Sequence, residues 1–162
     1  MNHEKFQHWL LSSPEKNNPE GINQWMLQGL ALGLEALNLE TGIISRINNR
    51  DYVIQQVSST LGDIFHTGDQ FELNNTYCEA VARQHKTITY IQVGAIPEMR
   101  LHPVYQAVQL ESYIGSPIPG KDGDVTGTVN FSSHEAREVE FTQEEVLFVE
   151  QMAHKLAEVL AH

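Results

Sequence analysis

The stretch Glu111–Ser133, ESYIGSPIPGKDGDVTGTVNFSS, decides the fold. Two runs of strand-forming residues flank Gly120-Lys121-Asp122-Gly123-Asp124. Glycine and aspartate tolerate the backbone conformations of a tight reversal, so the pattern predicts a β-hairpin. The second run alternates. Val125, Gly127, Val129 and Phe131 point to one side, and Thr126, Thr128, Asn130 and Ser132 to the other. An inward polar row on a central strand lines a pocket, a second layer or water.

Outward from the hairpin, the flanks read as helices and further strands. On the C-terminal side a polar loop, 134–140, precedes a long helix from Thr142 to about Ala161, with a Thr142/Glu145 capping box and a stripe of Val146, Val149, Ala153, Leu156 and Leu160. On the N-terminal side Pro103 suits the first turn of a short helix, Val104–Val108. Before it lie a strand at Thr87–Val93 and a helix at Tyr77–His85, with Asn74-Asn75-Thr76 as its expected cap. Ser59–Gln70 reads as irregular. Ile43–Asn48 and Tyr52–Ser58 form a second hairpin around Asn49-Arg50-Asp51. A helix over Ile22–Asn38 carries Trp25, Met26, Leu30, Leu34 and Leu37, and its Gly29 and Gly33 invite close approach of another helix. A short helix at 3–12 with Phe6, Trp9 and Leu10, and a Pro-containing connector, fill residues 1–19; the main domain spans 20–162. Antiparallel strands with helices at both termini make an α+β sandwich, the terminal helices covering one face of the sheet.

Composition narrows the function. The chain has 162 residues, 41% of them hydrophobic, enough for one domain with a sizeable core. A formal charge of −11, with ten scattered Lys and Arg, argues against nucleic acid. No apolar run approaches the ~20 residues that span a bilayer. The N-terminus shows neither a basic leader nor a small-residue cleavage site, so a cytoplasmic protein without a membrane partner is expected. The single cysteine, Cys78, excludes an intramolecular disulfide and a multi-cysteine metal cage. The eight histidines include no His-x-His or His-x-x-x-His pair, and His154 and His162 stand near the chain end, so no metal site is expected.

Several segments together resemble a GAF domain, the small-molecule sensor module of signalling proteins. They are Phe71-Glu72-Leu73, Thr76-Tyr77-Cys78-x-x-Val81, His102-Pro103-x-Tyr105, Leu110-Glu111-Ser112-Tyr113-Ile114-Gly115-x-Pro117, Gly127–Ser133, Arg137 and Phe141-Thr142. The wording is similar to a subgroup found beside histidine kinase and diguanylate cyclase modules in bacteria, over roughly residues 20–160. The resemblance implies a central antiparallel sheet of about six strands, short helices and loops over a pocket on the face away from the terminal helices, and a homodimer built through those helices. It also implies sensory or regulatory function without catalysis. With no output module after His162, a signalling protein partner is expected. Two rival readings are a free methionine sulfoxide reductase on the same fold and a pure dimerisation module with a filled pocket.

The chemistry of relatives does not carry over. Cys78 is followed by Glu79, not the histidine common in bilin-attaching relatives, and a single cysteine cannot complete a reductase's intramolecular disulfide cycle. Phe131 stands where cyclic-nucleotide-binding relatives have a lysine. The ligand-binding candidates are Tyr105, Tyr113, Thr128, Asn130, Ser132 and His102, with His102 also suited to capping the short helix. The cofactor is unknown, and the ligand is an unidentified small molecule.

Overall fold

The structure is a computed structural model that describes residues 2–160. Its described elements run α1 (His3–Leu11), α2 (Pro19–Leu37), β1 (Thr41–Asn48), β2 (Asp51–Ser59), β3 (Gln70–Glu72), α3 (Cys78–Gln84), β4 (Ile88–Tyr90), α4 (Pro103–Val108), β5 (Ser112–Pro119), β6 (Val125–Ser133) and α5 (Gln143–Leu160). Three 3-10 turns punctuate the middle of the chain. The strands form one six-stranded antiparallel sheet in the order β3-β2-β1-β6-β5-β4. It is the α+β sandwich expected, and β6, the strand of the opening motif, lies at its centre.

Both hairpins form as read. Gly120 N donates to Asp124 O at 2.7 Å across the β5–β6 loop, and Asn48 pairs with Asp51 across the β1–β2 turn, where Asn49 takes φ 58°. The capping box of α5 closes in both directions: Thr142 N donates to Glu145 Oε1 at 2.9 Å, and Glu145 N to Thr142 Oγ1 at 3.1 Å. The reading of α5 to Ala161, and His162 with it, falls outside the described residues.

Three local readings are corrected. The segment taken as irregular ends in β3, whose three residues pair with β2 from Val53↔Gln70 to Asp51↔Glu72; a strand this short leaves too few residues to show alternation. The strand at Thr87–Val93 shrinks to Ile88–Tyr90, because the chain bends so that Val93 N reaches Glu111 O and a 3-10 turn begins. Asn74-Asn75-Thr76 does not cap α3. Leu73–Asn75 form a 3-10 turn, and the Thr76 hydroxyl donates back to Leu73 O at 2.8 Å.

One face of the sheet is filled by helices. Phe6 and Trp9 of α1, Trp25, Met26 and Leu30 of α2, and Phe148, Val149, Met152 and Leu156 of α5 bury against Ile44, Ile114, Val129 and Phe131. Trp9 stacks on Trp25 at 4.4 Å between ring centroids, and its indole N–H donates to Trp25 O at 2.9 Å. Gly33 admits not a helix but the Phe131 ring: a Cβ there would collide with the ring edge. Gly29 does meet a helix, through Trp9 of α1. The stripes on α2 and α5 are thus consumed by the molecule's own sheet. Val149 and Leu156 are fully buried within the chain, so these two side chains are not free to pair with a second copy.

The candidate site

The other face is built differently. The strand register brings Thr128, Asn130 and Ser132 of β6 beside Ser45, Ile43 and Thr41 of β1 and beside Pro117, Gly115 and Tyr113 of β5. A Cβ at Gly115 would strike the Tyr113 hydroxyl, so glycine there lets the Tyr113 ring lie along the sheet. Helix α3 then lowers Cys78 onto this floor. The Cys78 sulfur lies 3.1 Å from the Tyr113 hydroxyl and 3.8 Å from that of Tyr52, and it accepts from Thr128 Oγ1 at 3.1 Å and from Asn130 Nδ2 at 3.3 Å. Ser45 Oγ completes the cluster, 2.7 Å from Thr128 Oγ1.

This cluster is neutral at physiological pH. Burial pushes the Cys78 thiol up, and the hydroxyls of Thr128, Tyr113 and Tyr52 offset only part of the effect. Burial likewise holds Tyr52 and Tyr113 well above the ordinary phenol range, with Cys78 adding to both shifts. A thiol held protonated is a poor nucleophile.

Beside the cluster is a cavity of about 320 Å³. Sheet residues form its floor, α3 and the segment before it one wall, and α4 its roof through Pro103, Val104, Ala107 and Val108. Phe65 and Phe71 close the far side. The lining residues that reach solvent, Phe71, Asn75, Pro103 and Ala107, mark its rim.

Of the six residues singled out in the sequence, Tyr113, Asn130 and Ser132 line the cavity. Thr128 sits beneath it in the thiol cluster. Tyr105 points away: its hydroxyl donates to Glu111 Oε2 at 2.9 Å, while Glu111 Oε1 accepts from Gly94 N at 2.8 Å, which ties the roof helix to β5. His102 caps α4, its Nδ1 accepting from Val104 N at 3.1 Å, and its ring packs 4.9 Å from that of Tyr77. Burial lowers its pKa, against the pull of the Thr76 backbone and Glu79.

Sequence reasoning missed Tyr52, Tyr77 and the apolar walls. Tyr52 was legible by parity: it opens an alternating strand whose next same-side residue is the buried Ile54. Tyr77, whose hydroxyl donates to Leu110 O at 2.8 Å, was read only as a helix residue.

A family model described as GAF domain matches residues 24–161. The chain belongs to the GAF domain family. Its solved neighbours agree on the fold. The phycocyanobilin-bound GAF domain of a cyanobacterial phytochrome superposes with a TM-score of 0.74 at 14% identity, covering 99% of this chain and 94% of that one. The GAF domain of an Acinetobacter phosphoenolpyruvate-protein phosphotransferase gives 0.72 at 13%, covering 97% and 89%. A type II free methionine-R-sulfoxide reductase from Thermoplasma acidophilum gives 0.69 at 12%, covering 88% and 94%. No curated protein matches the chain by sequence. Helix α1 lies ahead of the residues that the family model matches, and its Phe6 and Trp9 belong to the same core as α5. No helix among the described residues is long and apolar enough to cross a membrane.

Proposed function

We propose that this GAF domain is a non-enzymatic sensory or regulatory module that binds a small molecule in the cavity between the sheet and α4. One observation carries the reading: the face of β6 opposite its packed core is left open over polar groups, where a domain built only to fold or pair would fill it. Binding biases the packing of the sheet against its helices, and β6 is the element suited to transmit it. Asn130 and Ser132 lie on the floor, and the strand's end is tied to the α2–β1 connector. There Glu40 Oε1 accepts from Ser133 Oγ at 2.8 Å and from His134 N at 2.7 Å. The chain continues from there into α5.

The buried, protonated state of Cys78 supports the absence of catalysis, since thiol redox chemistry starts from an accessible thiolate. Homodimerisation belongs to the same proposal. The large apolar side chains exposed on the two long helices are Leu27 and Leu147, and pairing of copies through that outer face would place the helices at the seam. Native mass spectrometry of protein purified from its own host tests the reading. A retained small molecule, lost in Asn130→Leu, is the expected result. Reduction of free methionine sulfoxide that disappears in Cys78→Ser would overturn it.

A further inference from the structure

The cavity's lining specifies the chemistry of its occupant, and this inference rests on the cavity being a ligand site as proposed above. No Asp, Glu, Lys, Arg or His lines it among the described residues. A charged ligand would therefore lose its hydration with no opposite charge to meet it, a cost that excludes ions from such sites. The walls carry the rings of Tyr52, Tyr77, Tyr113, Phe65 and Phe71, which favour a flat aromatic partner over a flexible chain.

The floor supplies one polar anchor. Asn130 is 4% exposed and Ser132 3%. The Asn130 amide bonds Tyr52, Cys78 and Thr128 through its nitrogen alone. Were the amide turned over, its oxygen would accept from the same hydroxyls and thiol and the nitrogen would be left over. In either orientation one amide atom has no partner among the described residues, and neither has Ser132 Oγ. Both residues line the cavity. Neither atom is among the sealed, unpartnered ones, so both are open to the cavity, where a ligand group that can donate and accept would bond them. Volume sets the size: an apolar cavity of about 150 Å³ holds benzene, so about 320 Å³ suits a ligand of roughly ten to fifteen non-hydrogen atoms.

We propose that the ligand is a neutral aromatic molecule of two-ring size bearing one uncharged amide or hydroxyl group, which docks on Asn130 and Ser132 while its rings lie among the tyrosines and phenylalanines.

Three probes of nearly equal shape test this: naphthalene-2-carboxamide, 2-naphthoate and naphthalene, titrated into the full chain by calorimetry and by thermal shift. The carboxamide should bind at least tenfold more tightly than naphthoate at pH 7.5. Its advantage over naphthalene should vanish in Asn130→Leu and shrink in Ser132→Ala, with both variants first checked for cooperative melting. If both variants retain the carboxamide preference, the anchor is wrong. If naphthoate binds as well as or better than the carboxamide, the neutral class is overturned while the cavity still stands as a ligand site. If no probe binds up to its solubility limit, the class is overturned too. The site reading then falls separately, only if native mass spectrometry also finds no retained molecule.

Discussion

Phe131 and Asn130 are neighbours on one strand, yet they belong to two different kinds of protein interior. Phe131 is enclosed by Gly33, Gly42 and Leu30 so tightly that a Cβ at Gly42 would come within 2.8 Å of its ring. Asn130 faces a polar cluster and open volume. The first side follows the rule of close packing, by which a domain secures its stability. The second departs from it, and such departures mark function more often than error. The difference teaches where substitutions should cost stability and where they should cost binding.

The comparison breaks most visibly on α5. Val149→Glu should abolish cooperative folding, because it buries an unpaired charge against the sheet. Leu147→Glu, two residues away at a half-exposed position, should stay within about 0.5 kcal/mol of the parent by denaturant melts. Sedimentation of the parent and of Leu147→Glu with Leu27→Glu tests the proposed dimer: a dimeric parent and a monomeric, still-folded variant are expected, and an unchanged dimer would move the seam elsewhere.

The same contrast holds within β6. Phe131→Ala should cost about 3–5 kcal/mol, the usual range for a deleted core phenylalanine. Asn130→Leu should cost about 1–2 kcal/mol, since Thr128 keeps Ser45 and Cys78 keeps Tyr113 when the amide is gone. Equal losses from the two variants would mean that the polar face is as tightly built as the apolar one.

Alkaline pH should act on the cavity face first. Cys78, Tyr52 and Tyr113 all have folded pKa values raised by burial. The unfolded chain therefore releases their protons before the folded chain does. Stability from these groups is fully present below the unfolded thiol value of about 8.5 and falls as pH rises above it. Melting temperature should decline from about pH 9 upward, and Cys78→Ser should delay the onset toward the tyrosine range near 10. At neutral pH that variant should cost about 1 kcal/mol or less, because serine can keep bonds to Thr128 and Tyr113.

Much of this division was legible in the sequence, for a definite reason. Alternation along a strand separates side chains by face regardless of what covers them, so the row Thr128, Asn130, Ser132 was assigned together, opposite Val129 and Phe131. The capping box and both hairpins were equally local signals. What could not be read depends on distant segments meeting. Cys78 looked like a small residue on a helix, and only the docking of α3 onto β6 makes it the hub of the polar cluster. Tyr105 was grouped with the pocket because it lies on the helix that roofs it. The partner that turns it away, Glu111, comes six residues later at the start of the hairpin. The stripes on α2 and α5 showed that a face is buried but not whether the cover is a second copy or the chain's own sheet.

An amide-resolved NMR titration with naphthalene-2-carboxamide tests the central claim most directly, because it reports both faces at once. Saturable shifts are expected at the Asn130 side-chain amide, at Cys78 and along Val104–Val108, with α1 unmoved. Shifts confined to α1, α2 and α5, or none anywhere at saturating probe, would contradict the assignment of the open face as the ligand site.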